Sequence, residues 1–308
     1  MTLLRLSIIA TFVLNAASSA MPAIRGPYDV DEHTLHLYHF DAESRVAKKT
    51  MAPDAAGLDS ALGLAFQNGA KRTRGFQSAF GSAIDTSTAS TARLMTLKPM
   101  PQSTFWNRQT GAFTYEAIVQ MDFDPRKFLE DRPSRMQILS VDNDESGVTR
   151  GFWLSLRPIG VHGATAPSLE FVKIGSGEYG PRVQAMVAVL PSSGLHSPIP
   201  EAWFHVAVSY DGNEGKRDNL KIYWTRVAPE VTAANLVYLA SLDRDPPPDA
   251  MLSFSVGNRV RSNRSSRNQN ENWLGKIDEV RISSVARRPQ EFLFSETGVA
   301  TALKGAEK

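Results

Sequence analysis

The sequence contains no cysteine among its 308 residues. That absence excludes disulfide bonds, thiolate metal sites and cysteine nucleophiles. An excess of one charge is also missing, because 34 basic residues stand against 32 acidic ones and leave a formal charge of +2. A chain with so small a net charge has no general field to attract nucleic acid or acidic lipid. Its hydrophobic content of 42% is ordinary, which indicates a globular protein rather than a disordered one.

Long hydrophobic runs are absent apart from a short one at the N-terminus. Residues 1–20 read MTLLRLSIIATFVLNAASSA, with one basic residue (Arg5), an apolar run over residues 6–14 and small residues at the end. This order is typical of a secretory signal peptide. The apolar run is shorter than the about 20 residues that cross a bilayer. We therefore predict an exported protein (periplasmic, cell-surface or extracellular) with no transmembrane segment after cleavage; an uncleaved N-terminal anchor is the alternative.

Long stretches of helical periodicity are also missing, and short β-rich runs recur instead. Residues 112–121 alternate most clearly, because Phe113, Tyr115 and Val119 share one face of the expected strand. Many short strands separated by turn residues favour an all-β sandwich or barrel. The runs occupy residues 34–40, 112–121, 135–141, 151–157, 168–174, 182–190, 202–210, 219–227, 235–241, 251–257 and 273–283.

Domain boundaries are weakly marked in this sequence. Residues 42–109 are the least regular part, and we predict long loops there with two or three poorly marked strands. Residues 30–295 are expected to form a single β-sandwich domain, followed by a mobile tail over residues 296–308.

Several segments occur in an order that resembles a known family. They read FTYEAIV (residues 113–119), WFHVAVSYDGNEGKRDNLKIYW (203–224), MLSFSVGN (251–258) and WLGKIDEVRIS (273–283). They are similar to the motifs of laminin-G-like modules in the concanavalin A-like lectin/glucanase superfamily, and LHLYHFD (35–41) resembles the opening strand of those modules. The resemblance implies a jelly-roll sandwich of two antiparallel sheets. The sequence departs from the family at Phe204, where a histidine is usual, and in an arginine-rich insertion before the last motif.

The same superfamily contains glucanases, so catalysis has to be considered. The glucanase signature, Glu-x-Asp-x-x-Glu on one strand, would fall on residues 276–281, where Lys276 and Arg281 occupy the glutamate positions. A cation can be neither the nucleophile nor the acid of a retaining pair. We therefore expect no catalytic residues and predict an exported binding module that recognises a glycan or a protein. A divergent glycoside hydrolase that uses other carboxylates, and a purely structural envelope module, are the alternatives.

Laminin-G-like modules often hold Ca²⁺ through oxygen ligands. Asp41 and Asp278 match positions where such modules keep acidic residues, so the resemblance implies that these two would bind the ion. The alternative is that Asp278 caps a neighbouring loop. His36 and His39 do not suggest a metal pair, because residues three apart on a strand point to opposite faces.

An arginine-rich loop, NRVRSNRSSRN (residues 258–268), is the other unusual feature. Guanidinium groups suit sulfate, carboxylate or phosphate groups, so an acidic glycan could bind there; a solvated insertion is the alternative. Nucleic acid is not the expected partner. The candidate ligand residues are Arg259, Arg261, Arg264 and Arg267. The five tryptophans could stack on sugars or belong to the core; they are Trp106, Trp153, Trp203, Trp224 and Trp273.

Overall fold

The architecture is that of two antiparallel sheets packed face to face. We analysed a computed structural model, which describes residues 24–57, 63–127, 135–142, 150–160, 164–177, 180–243, 251–260, 271–294 and 299–301. The strands are β1 (Thr34–Tyr38), β2 (Ser44–Val46), β3 (Lys49–Ala52), β4 (Leu64–Gln67), β5 (Lys71–Arg74), β6 (Ser82–Asp85), β7 (Arg93–Thr96), β8 (Met100–Pro101), β9 (Phe113–Met121), β10 (Met136–Asp142), β11 (Arg150–Arg157), β12 (Ser168–Gly177), β13 (Gly180–Val189), β14 (Trp203–Tyr210), β15 (Leu220–Arg226), β16 (Ala234–Ala240), β17 (Met251–Val256), β18 (Gly275–Ser283) and β19 (Val299–Thr301). Short 3₁₀ helices occur at Ser78–Phe80, Gln102–Phe105 and Pro289–Glu291.

The strands divide between two sheets of nine and ten strands. The first sheet runs in the order β19-β16-β15-β14-β9-β18-β6-β5, and β1 also pairs with β18. The second sheet runs in the order β13-β12-β11-β10-β17-β7-β4-β3-β2, and β8 also pairs with β17. The pairings are antiparallel except for β16 with β19. The predicted two-sheet antiparallel sandwich is therefore confirmed.

The core lies between the two sheets and follows from the alternation of each strand. Tyr115 and Val119 of β9 and Phe204 of β14 belong to the main cluster of buried residues, together with Leu154 of β11 and Phe254 of β17. Each of the eleven runs read from the sequence forms a strand within a few residues of the expected position. β14 and β15 form a hairpin after Tyr210, because β14 pairs with β15 in unbroken register.

The prediction for residues 42–109 was wrong. Instead of two or three strands the segment contributes seven, β2 to β8, each only two to four residues long. Strands this short carry no readable alternation. They form because longer strands offer them edges elsewhere in the chain, as when β7 pairs with β17 and β6 with β18.

The outer face of the first sheet is covered by segments from both ends of the described chain. Ile24 forms a bridge with Phe294, and the amide of Arg25 donates to the Leu293 carbonyl. Val299–Thr301, within the segment predicted to be a tail, pairs with β16. The predicted signal peptide lies outside the described residues. In the part of the chain that the structure describes, no helix is long and apolar enough to span a membrane.

Candidate binding site

The outer face of the second sheet carries a patch of polar side chains on β10 and β11. The pairing of strands places Gln137 opposite Ser155, and Ser155 opposite Glu170 on β12. Trp153 lies one row away, two residues before Ser155 on the same face of β11. Their neighbours in sequence, Leu154 and Leu156, point into the core. The alternation that builds the core therefore also lines up these polar groups on the opposite face.

Four side chains of this patch have buried polar atoms with no hydrogen-bond partner. They are the Gln137 Oε1, the Trp153 Nε1, the Ser155 Oγ and the Arg157 Nε, and they make up four of the seven such atoms in the described residues. Buried polar atoms are normally paired, because leaving one unpaired costs about 1–3 kcal/mol. We call Gln137, Trp153, Ser155 and Arg157 the polar face. Their clustering makes the polar face the candidate binding site.

The charged neighbours of the polar face are mostly arginines. Arg135 Nε and Arg157 Nη2 both donate to the buried carboxylate of Glu170, at 2.6 and 2.5 Å. Two guanidinium groups on one carboxylate leave an excess of one positive charge in this group. The region is therefore suited to neutral or anionic ligands rather than cationic ones.

The arginine-rich loop is attached to the polar face at both of its ends. Glu271 accepts a hydrogen bond from the Gln137 amide at 2.6 Å, and Arg259 donates to the same Glu271 carboxylate at 3.2 Å. Arg259 is thus already paired with Glu271, and it lies close to the polar face. The other predicted ligand residues of the loop, Arg261, Arg264 and Arg267, lie outside the described residues.

Asp41 and Asp278, the predicted calcium ligands, flank the same short segment. The Ser82 amide donates to Asp41 Oδ1 at 2.6 Å, and the Phe76 amide donates to Asp278 Oδ2 at 3.1 Å. A bulge in β18 explains how Asp278 reaches this point. The register shifts between Asp278 and Arg281, and Glu279 adopts a positive φ of 47°, so that both acids leave the core side of the strand.

Three oxygen atoms pack closely against Gly75. A Cβ built there would lie 2.7 Å from Asp278 Oδ2, 2.8 Å from the Phe80 carbonyl oxygen and 3.1 Å from the Gly81 carbonyl oxygen. An all-oxygen set of carboxylate and backbone carbonyl groups is what Ca²⁺ prefers. Burial, reinforced by Glu279 and Asp41, raises the pKa of Asp278 to about 8, so this carboxylate lacks a compensating positive charge.

Two carboxylates and backbone carbonyls would be the ligands if these residues held calcium. The side chains alone would not suffice, because the described residues contain no group of three or more histidines or acids placed to hold a metal ion. The expected ligands are Asp41, Asp278 and the carbonyl groups of residues 80 and 81. Calcium itself stays a proposal.

Replacing Asp278 by asparagine tests the calcium assignment. We expect D278N to be at least as stable as the wild type in EDTA, because a neutral amide avoids the cost of burying this acid, the burial that raises its pKa to about 8. Millimolar Ca²⁺ should raise the melting temperature of the wild type and leave that of D278N unchanged. Scanning calorimetry measures both values. Equal calcium responses of the two proteins would contradict the assignment, and D211N, a half-buried site elsewhere, is the control.

A second buried polar cluster lies under residues 24–31 on the first sheet. The hydroxyl group of Tyr28 donates to Glu116 Oε1 at 2.7 Å and lies 3.0 Å from His205 Nε2. Arg281 Nε donates to Glu116 Oε2 at 2.8 Å, and its guanidinium carbon lies 3.7 Å from the centre of the Tyr28 ring. Burial alone would raise the pKa of Glu116, but Arg281, His205 and Tyr28 together hold it at about 2. The cluster fastens the N-terminal segment to the sheet.

The histidines have the separate roles expected from the sequence. His36 is buried and its Nδ1 lies 2.7 Å from Asp54 Oδ2, whereas His39 Nδ1 lies 2.7 Å from Glu279 Oε1. The hydrogen bond to Glu279 raises the pKa of His39. The two rings therefore do not share a site.

Sequence reasoning missed the polar face. The tryptophans Trp106, Trp224 and Trp273 are buried in the core, and Trp203 packs against Phe76, so only Trp153 belongs to a polar surface. A signal was present in the sequence. Trp153, Ser155 and Arg157 alternate with the apolar residues of β11, which predicts a polar outer face.

Comparison with known proteins supports the fold and does not identify a family. No protein-family model and no curated protein sequence matches the chain. The botulinum neurotoxin serotype G binding domain aligns with 84% of this chain and 49% of its own length, at 10% identity and a TM-score of 0.50. At this identity the likeness shows the jelly-roll fold alone, and this chain spans about half the length of that domain.

Two further solved structures match less well. A SAP-like pentraxin from Limulus polyphemus aligns with 65% of this chain and 72% of its own, at 10% identity and a TM-score of 0.38. A sialidase from Trypanosoma rangeli aligns with 85% of this chain and 32% of its own, at 11% identity and a TM-score of 0.44.

Proposed function

We propose that the protein is an exported, non-catalytic, laminin-G-like module that binds a glycan on the polar face. The observation that carries the proposal is the set of four unpartnered buried polar atoms on β10 and β11. An indole beside such atoms is the combination that a sugar requires. Its apolar ring covers the flat face of the sugar, while the neighbouring amide, hydroxyl and guanidinium groups exchange hydrogen bonds with the hydroxyl groups.

The donors and acceptors of the polar face match hydroxyl chemistry in detail. The Trp153 Nε1 and Arg157 Nε can only donate, the Gln137 Oε1 can only accept, and the Ser155 hydroxyl can do both. A sugar hydroxyl also does both, so one ligand can satisfy all four groups. An apolar ligand would leave them unpaired, and a site with buried polar groups rejects such analogues strongly.

An acidic glycan fits better than a neutral one. Arg135 and Arg157 share the Glu170 carboxylate, and Arg259 pairs with Glu271, which also accepts from Gln137. Bidentate guanidinium contacts favour carboxylate and sulfate groups. We therefore expect binding to weaken as salt is added, since screening reduces contacts between exposed charges.

The position of the carboxylates argues against the hydrolase alternative. Glu170 is engaged by two arginines and Glu271 by Gln137 and Arg259, so neither is free to act as an acid or nucleophile. Arg281, at one glutamate position of the glucanase signature, is paired with Glu116. A glycosidase needs two free carboxyl groups flanking the bond that breaks.

A glycan array with the wild type and W153A tests the proposal. We expect the wild type to bind a set of acidic glycans, and W153A to lose about tenfold or more in affinity, as for other central aromatic residues of interfaces. Y238A is the matched control, because Tyr238 is an exposed aromatic residue of the other sheet. Running the array in Ca²⁺ and in EDTA separates the calcium assignment from the polar face.

The remaining alternatives predict different results. A module that recognises a protein or serves only an envelope structure would bind no glycan in either condition. Glycan binding that survives the loss of Trp153 but not that of Asp278 would move the site from the polar face to the calcium region.

A further inference from the structure

The two sheets protect most of their free edges in the ways that natural proteins use. The edge strand β2 has three residues and includes Arg45, and the edge strand β5 has four residues, of which Lys71, Arg72 and Arg74 are basic. The edge strand β19 has three residues. Short, charged edges discourage other strands from pairing with them.

The remaining edge strand, β13, is longer, and its only charged residue, Arg182, lies near its start beside Pro181. It has ten residues and pairs with β12 without a bulge, from Ser168 opposite Val189 to Gly177 opposite Gly180. Within the part of the chain that is described, no strand pairs with its other side. No charged residue occurs between residues 183 and 190, and Pro191 follows the strand.

The outer face of β13 is also apolar. Val189 is 63% exposed, Ala185 is exposed and Val187 is half-buried. All three point away from the core, since Met186 and Ala188 between them belong to it. An edge whose residues 183–189 carry no charge and expose apolar side chains is a surface that a further β-strand can extend.

We propose that β13 pairs with β13 of a second copy of this chain, in an antiparallel, two-fold symmetric dimer. In a two-fold symmetric contact each subunit contributes the same surface. The strand that forms the contact must therefore be complementary to a second copy of itself. With Met186 at the axis, Ala185 lies opposite Val187 and Gln184 opposite Ala188. No like charges then face each other, and the outer side chains form apolar cross-strand pairs. A charged partner strand would find no counter-charge between residues 183 and 190.

This dimer would join the two second sheets into one continuous sheet. A two-fold axis perpendicular to the sheet keeps both outer faces on the same side. Five strand spacings of about 4.8 Å separate β11 from its counterpart, so the two Trp153 side chains would lie roughly 24 Å apart. We infer that the dimer is bivalent and gains avidity for a polymeric glycan, an inference that rests on the function proposed above.

Sedimentation equilibrium of the purified protein without ligand tests the dimer and leaves glycan binding aside. We expect a mass that rises with concentration to twice that of the chain. A185K and V187K should each give a monomer, because each lysine would face an apolar side chain of the partner strand and the two lysines would be diagonal neighbours about 7–8 Å apart. Ala185 is already exposed, so A185K preserves the fold even if V187K does not. L195K, which also replaces an exposed apolar residue, should dimerise like the wild type.

Cross-linking locates the contact, because the chain has no cysteine of its own. A185C treated with a short bis-maleimide should give a covalent dimer, since the two residues 185 would be diagonal neighbours about 7–8 Å apart. L195C should give none. A wild type that stays monomeric, a dimer that survives A185K, or equal cross-linking of both cysteine variants would each overturn the proposal. These outcomes leave the glycan array result untouched.

Discussion

R281M is expected to lower the free energy of unfolding by about 3–5 kcal/mol, the usual loss when one partner of a buried ion pair is removed. The Arg281 side chain is 4% exposed and that of Glu116 is fully buried, so the remaining carboxylate would have no access to water. The guanidinium also covers the Tyr28 ring and donates to the Glu291 carbonyl. Its loss should therefore also release residues 24–31. For a domain of this size the melting temperature should fall by roughly 6–20 °C.

The pH dependence and two further variants make this prediction specific. Without Arg281, burial would dominate and raise the pKa of Glu116, so the folded variant would bind a proton that the unfolded chain releases. The difference in unfolding free energy between the wild type and R281M should then become smaller as the pH falls from 7 towards 4. Adding E116Q to R281M should recover part of the loss. R288M is the control, because Arg288 is 78% exposed and its pair with Glu291 should contribute little. A deficit that is equal at all pH values would contradict the account.

G275A is expected to cost about 3–5 kcal/mol, although it adds a single methyl group. Gly275 has φ = +147°, which side-chain-bearing residues rarely adopt, and a Cβ there would collide with the Gln120 carbonyl oxygen. Strain at such a φ and overpacking each cost about 1–3 kcal/mol. The same carbonyl accepts the Trp273 indole N–H at 2.9 Å, so any backbone shift would break that bond too. Urea unfolding followed by tryptophan fluorescence measures the change.

G194A is the matched control for this substitution. Gly194 also has a positive φ of 81°, but nothing lies within 4 Å of the Cβ position. G194A should therefore lower the free energy of unfolding only by the conformational cost of the positive φ, about 1 kcal/mol. Similar losses in G275A and G194A would mean that the close approach of β9 and β18 at this point is not as tight as described.

The long strands could be predicted from sequence because each carries its own pattern. In β9 and β14, side chains alternate over nine and eight residues. The strands β2 to β8 could not be predicted in the same way. A four-residue strand such as β6 is specified by the edge of β18, slightly more than 190 residues further along the chain, and no local sequence pattern shows where that edge lies.

The candidate sites, too, could be predicted from the sequence only where a local pattern or motif identifies their residues. Asp41 and Asp278 were identified through the family resemblance, but the close packing of oxygen atoms against Gly75 depends on a bulge and on backbone carbonyls that sequence does not show. The polar face combines Gln137, Trp153 and Ser155 from two strands. Their alternation predicts a common orientation, whereas their missing hydrogen bonds become visible only once the strands are paired.

Hydrogen–deuterium exchange in the presence of the best glycan from the array is the most direct test of the binding face. Bound ligand should slow exchange in Met136–Asp142 and Arg150–Arg157, the two strands that carry the polar face, and W153A should abolish that protection. Residues 24–31 and the 3₁₀ helix Ser78–Phe80 should exchange at unchanged rates. Protection confined to those two segments, with β10 and β11 unaffected, would contradict the account.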